Sequence, residues 1–237
     1  MNDFWTMVWK ETRDSIFSGH RSELIVPLMV IAIMGIVIPW QFGHLWISLS
    51  PATIFIVSYI PFFLTTSYIG DAIAGERERH TLETLLASRI SDRAILWGKI
   101  TVTIAYVGGL TLIGLIIGLV TSNLVAGKGQ WSFYNPLNVF LEMLAMVLSA
   151  SLLSSSSGVL ISMRVTTVRQ AQQTMAIGSL VLLIVIVLIL RGLPAGTLAL
   201  LNTFQILLFF IGGFVILDII LLWILSISFR RSNLILN

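Results

Sequence analysis

Long apolar stretches separated by short polar connections make up most of this chain. Six of them approach or exceed the roughly 20 apolar residues that a helix needs to cross a bilayer core about 30 Å thick. The pattern therefore predicts an all-α, polytopic membrane protein whose six-helix transmembrane domain occupies residues 23–237. The predicted spans are 24–40, 52–74, 94–124, 137–163, 174–190 and 203–229.

An amphipathic segment precedes the first span, within residues 1–22. Its apolar stripe recurs at three- and four-residue spacing, and most charged residues lie off that stripe, which consists of Trp5, Val8, Trp9, Thr12 and Ile16. Because tryptophan concentrates at membrane interfaces, the pattern favours a helix lying on the membrane surface. A soluble helix packed against a partner is the alternative. The charges in this segment exclude the continuous apolar core of a signal peptide.

Composition agrees with a membrane protein and excludes several kinds of site. Hydrophobic residues make up 57% of the 237 positions and charged residues 11%, whereas soluble domains carry roughly 25% charged residues. The absence of cysteine excludes disulfides and thiol catalysis, and the three scattered histidines show no metal-ligand spacing. The formal charge of +3 is attributed to the positive-inside bias of membrane proteins, not to nucleic-acid binding.

Lysine and arginine are distributed unevenly over the connections. If the N-terminus is cytoplasmic, twelve of the 14 basic residues fall on the cytoplasmic side, and only Lys128 and Arg191 lie outside. Since basic residues are retained on the cytoplasmic side, this bias predicts that both termini lie in the cytoplasm.

The connection between the second and third spans is the most charged part of the chain. Ten charged residues fall within positions 71–99, more than a plain hairpin requires. Leu82, Leu85, Leu86 and Ile90 share one helical face. The pattern therefore predicts an amphipathic helix on the cytoplasmic side.

The ends of this helix are also indicated. Glu76 and Glu78 lie where carboxylates favour the exposed amides of a helix start, and Ser91 is placed to cap the next helix. The predicted helix covers about residues 76–90. It is either a solvated surface helix or a docking element whose apolar ridge fits a groove on another protein.

At these residues a resemblance to a known family becomes specific. The run Glu-Arg-Glu-Arg-x-Thr-Leu-Glu-x-Leu-Leu from residue 76, followed by Ser-Asp-Arg and Ile-Leu-x-Gly-Lys, resembles the first cytoplasmic loop of ABC-2 type transporter permeases. The match is close over residues 76–99 and looser over the rest of the chain. Two departures are His80, where the family often has glycine, and Ser88-Arg89, where Thr-Pro or Ser-Pro is common.

The resemblance implies a transporter subunit, with an exporter the expected type, in the prokaryotic plasma (inner) membrane. In that family the loop is the coupling helix that meets a separate ABC ATPase subunit, which binds the ATP and Mg²⁺. A second permease subunit, as homodimer or heterodimer, and membrane lipid are the other implied partners. The leucines would fill the ATPase groove and the charges would set the register. The implied coupling residues are Glu76, Glu78, Arg79, Thr81, Leu82, Glu83, Leu85 and Leu86.

The chain itself is not expected to be an enzyme or to bind a cofactor or metal directly. Gly98-Lys99 and Gly127-Lys128 are its Gly-Lys pairs, and neither is followed by the Ser or Thr of a phosphate-binding loop. Hydrolytic motifs such as His-Glu-x-x-His and Gly-x-Ser-x-Gly are also missing. ATP hydrolysis is therefore assigned to the partner.

Polar residues within the spans suggest two further roles. Asp218 and Glu142 lie in apolar stretches, where a charge costs about 2.5–3.5 kcal/mol on insertion scales, so each is expected either to line a substrate path or to hydrogen-bond across helices. A structural role is favoured for Glu142, nearer the interface. The serine-rich run 149–158 and the glycines at 108, 109, 114 and 118 are expected to let helices pack closely.

Other features leave alternatives open. Residues 191–202 are too apolar for an ordinary external loop and are either a re-entrant segment or a loop on the headgroups. Arg164 and Arg169 mark a second cytoplasmic contact with the ATPase. The alternative functions are a haem-exporter-like permease of cytochrome c maturation and a membrane scaffold or sensor without transport.

Overall fold

The computed structural model describes residues 3–17, 25–69, 73–127, 130–135, 137–192 and 203–229. All the regular elements in these residues are helical. A π-helical segment, Ile33–Val37, joins the second and third helices. The α-helices are α1 (Asp3–Phe17), α2 (Ile25–Ala32), α3 (Ile38–Phe42), α4 (His44–Ile47), α5 (Pro51–Ile69), α6 (Ala74–Glu78), α7 (Leu82–Ala87), α8 (Asp92–Ala126), α9 (Leu137–Arg164), α10 (Val168–Gly192) and α11 (Thr203–Ser228).

The chain is a polytopic helical membrane protein. Within the described residues, five helical segments are long and apolar enough to cross a membrane: Ile25–Phe42, Asp92–Ala126, Leu137–Arg164, Val168–Val185 and Leu207–Ser228. The remaining predicted span corresponds to α5, whose described apolar stretch, Thr53–Phe62, is shorter. Residues 193–202 lie outside the described part of the chain, and so does the predicted re-entrant segment.

Helix α9 lies at the centre of the bundle and packs against α5, α8, α10 and α11. Its serine-rich run is buried, and several of these hydroxyls donate to carbonyls three or four residues earlier in the same helix, as Ser151 does to Leu148 and Ser155 to Leu152. The run therefore presents a face of small side chains, as expected for close packing in membranes.

The closest approach of this kind occurs at Gly158, where a Cβ would overlap the side chain of Ile69 on α5. We expect Gly158→Ala to lower the free energy of unfolding by about 1–3 kcal/mol, because α5 and α9 would have to separate. Gly109→Ala is the matched control, since its Cβ would meet no atom within 4 Å, and it should be neutral or slightly stabilising. Equilibrium unfolding in detergent micelles measures both, and equal effects would contradict the close contact.

Helix α8 packs through glycines against the first span and against Trp46 of α4. A Cβ on Gly114 would lie 2.8 Å from Met34 Sδ, and one on Gly118 would lie 2.7 Å from Trp46 Nε1. The expectation of close packing is confirmed at these two positions. The expectation is wrong for Gly109, because a Cβ at this position would meet no atom of the described residues within 4 Å.

Candidate functional site

The predicted coupling helix is two short helices, α6 and α7, separated by a turn. His80 lies in this turn with a φ of 55°, a left-handed conformation that favours glycine. The expectation of one continuous helix over residues 76–90 is therefore wrong. The predicted start of the next helix is confirmed, because Ser91 occupies the N-cap position of α8 and Asp92 lies in the first turn. The Ser91 side chain makes no capping hydrogen bond there.

The apolar face of α7 points into the protein. Leu82 and Leu85 are 7% and 8% exposed and belong to a cluster that includes Met7, Ile95 and Phe229. The expectation that these two leucines project outward to fill a groove on a partner is wrong, because the chain's own core covers them. The Leu86 side chain lies outside the described part of the chain.

The opposite face of this segment is polar and exposed. It consists of Glu78, Arg79, His80, Thr81, Glu83 and Thr84, and we call it the exposed α6–α7 face. Any partner that meets this connection in the described conformation therefore contacts charged and hydroxyl groups. The predicted coupling residues thus divide into a buried set and an exposed set.

Below the exposed face, four charges from three distant segments form one cluster, here called the ion-pair ring. Lys10 Nζ lies 2.7 Å from Glu76 Oε1, and Lys99 Nζ lies 2.8 Å from Glu11 Oε1. The cross pairs are longer, at 3.6 Å for Lys10–Glu11 and 3.7 Å for Lys99–Glu76. Lys99 is only 4% exposed. The ring therefore joins α1, α6 and α8 at one end of the bundle, which we call the α1 end.

The ring keeps the Glu76 carboxylate ionised. Burial by itself raises the pKa of this group, but hydrogen bonds from Lys10 and Thr81 and the charges of Lys99 and Lys10 outweigh that effect and lower the pKa to about 2. Thr81 donates its hydroxyl to the carboxylate and its backbone N–H to the Glu76 carbonyl oxygen. Glu76 therefore also braces the turn between α6 and α7.

Helix α6 is also hydrogen-bonded to the end of α9 and to the connection between α9 and α10. Arg77 donates to the Val165 carbonyl oxygen at 2.7 Å, and the backbone N–H of Val168 donates to Glu78 at 2.9 Å. The hydroxyl of Ser162 accepts from the backbone N–H groups of Ile73 and Ala74, at 3.0 and 2.8 Å. Displacement of α6 would therefore pull on α9 and α10 as well as on α1 and α8.

The N-terminal segment forms a helix, α1 (Asp3–Phe17), which lies along the start of α8. Met7 is fully buried, and a Cβ on Gly98 would lie 2.6 Å from Met7 Cγ. Trp5 and Trp9 are 63% and 65% exposed on another face. Helix α1 thus packs against the bundle on one side and exposes tryptophans on another. This arrangement is the one expected of an interfacial helix.

Sequence reasoning missed most of the residues that hold α6 in place. Lys10, Glu11 and Lys99 are separated from their hydrogen-bonded partners by 66 or 88 positions, so no periodic pattern links them. One signal was present: Lys99 lies within an apolar helix, where a charge requires a counter-ion. Arg77 and Ser162 had no comparable signal.

The two acids within the spans differ in their surroundings. Asp218 is 3% exposed, and neither of its carboxylate oxygens has a hydrogen-bond partner in the described part of the protein. It lies between Phe214 and Leu225 on the face of α11 that packs against α9. Glu142 is only partly buried, although its Oε2 also has no partner there. The expected cross-helix hydrogen bonds are thus absent from the described residues.

The contacts described at the α1 end are ion pairs and hydrogen bonds. Within the described residues, no group of three or more His, Asp or Glu side chains is placed to hold a metal ion. Arg164 and Arg169 are exposed beside the exposed α6–α7 face and extend its charged surface. The arrangement can bind a polar partner and pass its displacement to four helices.

No family model matches this chain, and no curated protein matches it.

Proposed function

We propose that this chain is the membrane-spanning subunit of an ABC-2 type transporter, an exporter driven by a separate ATPase subunit. The proposal includes six spans, with α5 as the second, and both termini in the cytoplasm of a prokaryotic cell. A second permease subunit completes the pathway. The observation that carries the proposal is the anchoring of α6, through which a force on one surface loop reaches α1, α8, α9 and α10.

A coupling element must meet two requirements. Such an element needs an outer face that a partner can grip and an inner face that cannot slide independently of the spans. The exposed α6–α7 face satisfies the first need, and the ion-pair ring and the Ser162 contacts satisfy the second. In this arrangement the ATPase would bind through Arg79 and Glu83, and the leucines would hold the segment to its own core.

The test uses a charge reversal on the exposed face. Glu83→Arg is expected to reduce the ATP hydrolysis of the purified permease–ATPase complex at least tenfold, because a like charge would face the partner's complementary group. Thermal unfolding of the permease should not change, since Glu83 is exposed. A change at Leu85 would not be informative, because that side chain lies in the core.

The control is Gln130→Arg, which adds a charge at an exposed position near the other end of α8. It should leave both hydrolysis and complex formation unchanged. If Glu83→Arg leaves coupled hydrolysis at the wild-type level, the coupling role is wrong. If the chain purifies from its own membranes without a stoichiometric nucleotide-hydrolysing subunit, the scaffold function replaces it.

A further inference from the structure

Two cavities open beside the first turns of α8 and share the side chains of Arg93 and Trp97. The smaller, of about 310 Å³, lies between α8 and the end of α11. The larger, of about 480 Å³, lies between α8 and the start of α1 and is lined by Asp3, Phe4, Ser91, Arg93, Ala94, Trp97 and Thr101. The larger cavity is wide open, so it is a depression in the surface and not an enclosed pocket.

The larger cavity lies at one end of a helix that is long and apolar enough to cross a membrane. It opens at the start of Asp92–Ala126 and is bordered by α1. Trp97 is 43% exposed, and it follows the exposed Arg93 by one helical turn. Tryptophan and arginine at the end of a span are the side chains that meet lipid headgroups.

The charges around this cavity are of both signs. Arg93 supplies a guanidinium, which binds phosphate oxygens in a bidentate manner. Asp3 also lines the cavity, and its carboxylate accepts a hydrogen bond from the backbone N–H of Ser91 at 3.2 Å. A carboxylate has about four acceptor positions, so Asp3 retains capacity for a further donor. Phe4 and Ala94 provide apolar wall for the less polar part of a ligand.

We propose that this cavity binds the headgroup of a phospholipid that carries a phosphate and a primary ammonium group. Arg93 binds the phosphate, Asp3 accepts hydrogen bonds from the ammonium, and Trp97 covers the headgroup from the bilayer side. A choline headgroup fits less well, because its quaternary nitrogen has no N–H to donate. A glycerol headgroup offers no positive charge to Asp3.

The proposal is tested by native mass spectrometry of the detergent-solubilised full chain. It is titrated with phosphatidylethanolamine, phosphatidylcholine and phosphatidylglycerol of identical acyl chains. The ethanolamine lipid should bind at least fivefold more tightly than the other two. Arg93→Gln should weaken its binding about tenfold through loss of a charge-assisted bidentate contact. Arg169→Gln removes an exposed arginine at the start of α10 and should have no effect.

A second variant separates headgroup recognition from general attraction of lipid. Asp3→Asn keeps an oxygen that accepts from the Ser91 N–H while removing the charge, so it should abolish the preference for ethanolamine without unfolding the protein. Soluble glycerophosphoethanolamine should not bind at the same concentrations. Equal binding of the three lipids by the wild type, unchanged binding by Arg93→Gln, or equally tight binding of the soluble headgroup would each overturn the proposal.

Discussion

Replacement of Glu76 by glutamine is expected to lower the free energy of unfolding by about 3 kcal/mol. The change removes the carboxylate between Lys10 and Lys99 and leaves two ammonium groups facing the single charge of Glu11. Lowering a carboxyl pKa from 4.5 to about 2 corresponds to about 3 kcal/mol of stabilisation, and loss of one member of a buried ion pair has a similar cost. Equilibrium unfolding in detergent micelles measures the loss.

The sign of the pH dependence follows from the lowered pKa. In the folded protein Glu76 releases its proton more readily than in the unfolded chain, so its contribution is complete above about pH 4.5 and is lost as the pH falls towards 2. The difference between wild type and Glu76→Gln should therefore shrink over this interval. Glu83→Gln, an exposed control in the same segment, should change stability by less than about 0.5 kcal/mol. A pH-independent difference would contradict the ion-pair ring.

Replacement of Asp218 by leucine is expected to act in the opposite direction, raising the free energy of unfolding by about 3 kcal/mol. The carboxylate is 3% exposed within a span and finds no hydrogen-bond partner among the described residues, and a charge at such a position costs about 2.5–3.5 kcal/mol. If the carboxylate serves the proposed substrate path, transport should fall sharply in the same variant. Unfolding and vesicle transport assays measure the two effects.

Asp218→Asn and Glu142→Leu are the matched controls for this prediction. Asparagine retains the shape of the side chain, so it separates the loss of charge from a change in packing. Glu142 is only partly buried, and its replacement by leucine should stabilise the protein by less than half as much. If Asp218→Leu destabilises the protein by more than about 1 kcal/mol, the carboxyl group has a structural role and the unsatisfied site is wrong.

The helical spans could be predicted from the sequence because long apolar stretches have few other stable arrangements in a bilayer. The predicted ends at Leu137 and Thr203 coincide with those in the structure, and the span 94–124 differs from α8 by two residues at each end. Helix α10, which contains the predicted fifth span, begins at Val168, six residues before the predicted start. The first turns of α10 are polar, so the hydrophobic pattern did not include them. A helix can continue beyond an apolar stretch, because helix formation does not itself require apolar side chains.

The orientation of the α7 leucines could not be predicted in the same way. A stripe of leucines at helical spacing identifies an apolar face, but the pattern is the same whether that face meets a partner or the chain's own core. The break at His80 has no glycine or proline to mark it. His80 is the residue with positive φ, and it stands where the family that this loop resembles often has glycine. The candidate site thus depends on long-range contacts that spacing along the chain does not encode.

The ion-pair ring contains two lysines and two glutamates, so its formal charges sum to zero. Moving one elementary charge across a membrane potential of 100 mV requires about 2.3 kcal/mol. Because these four charges cancel, a displacement of the ring as a unit moves no net charge of its own through such a field. The ring therefore adds no first-order electrical work to a movement of the segments that it joins.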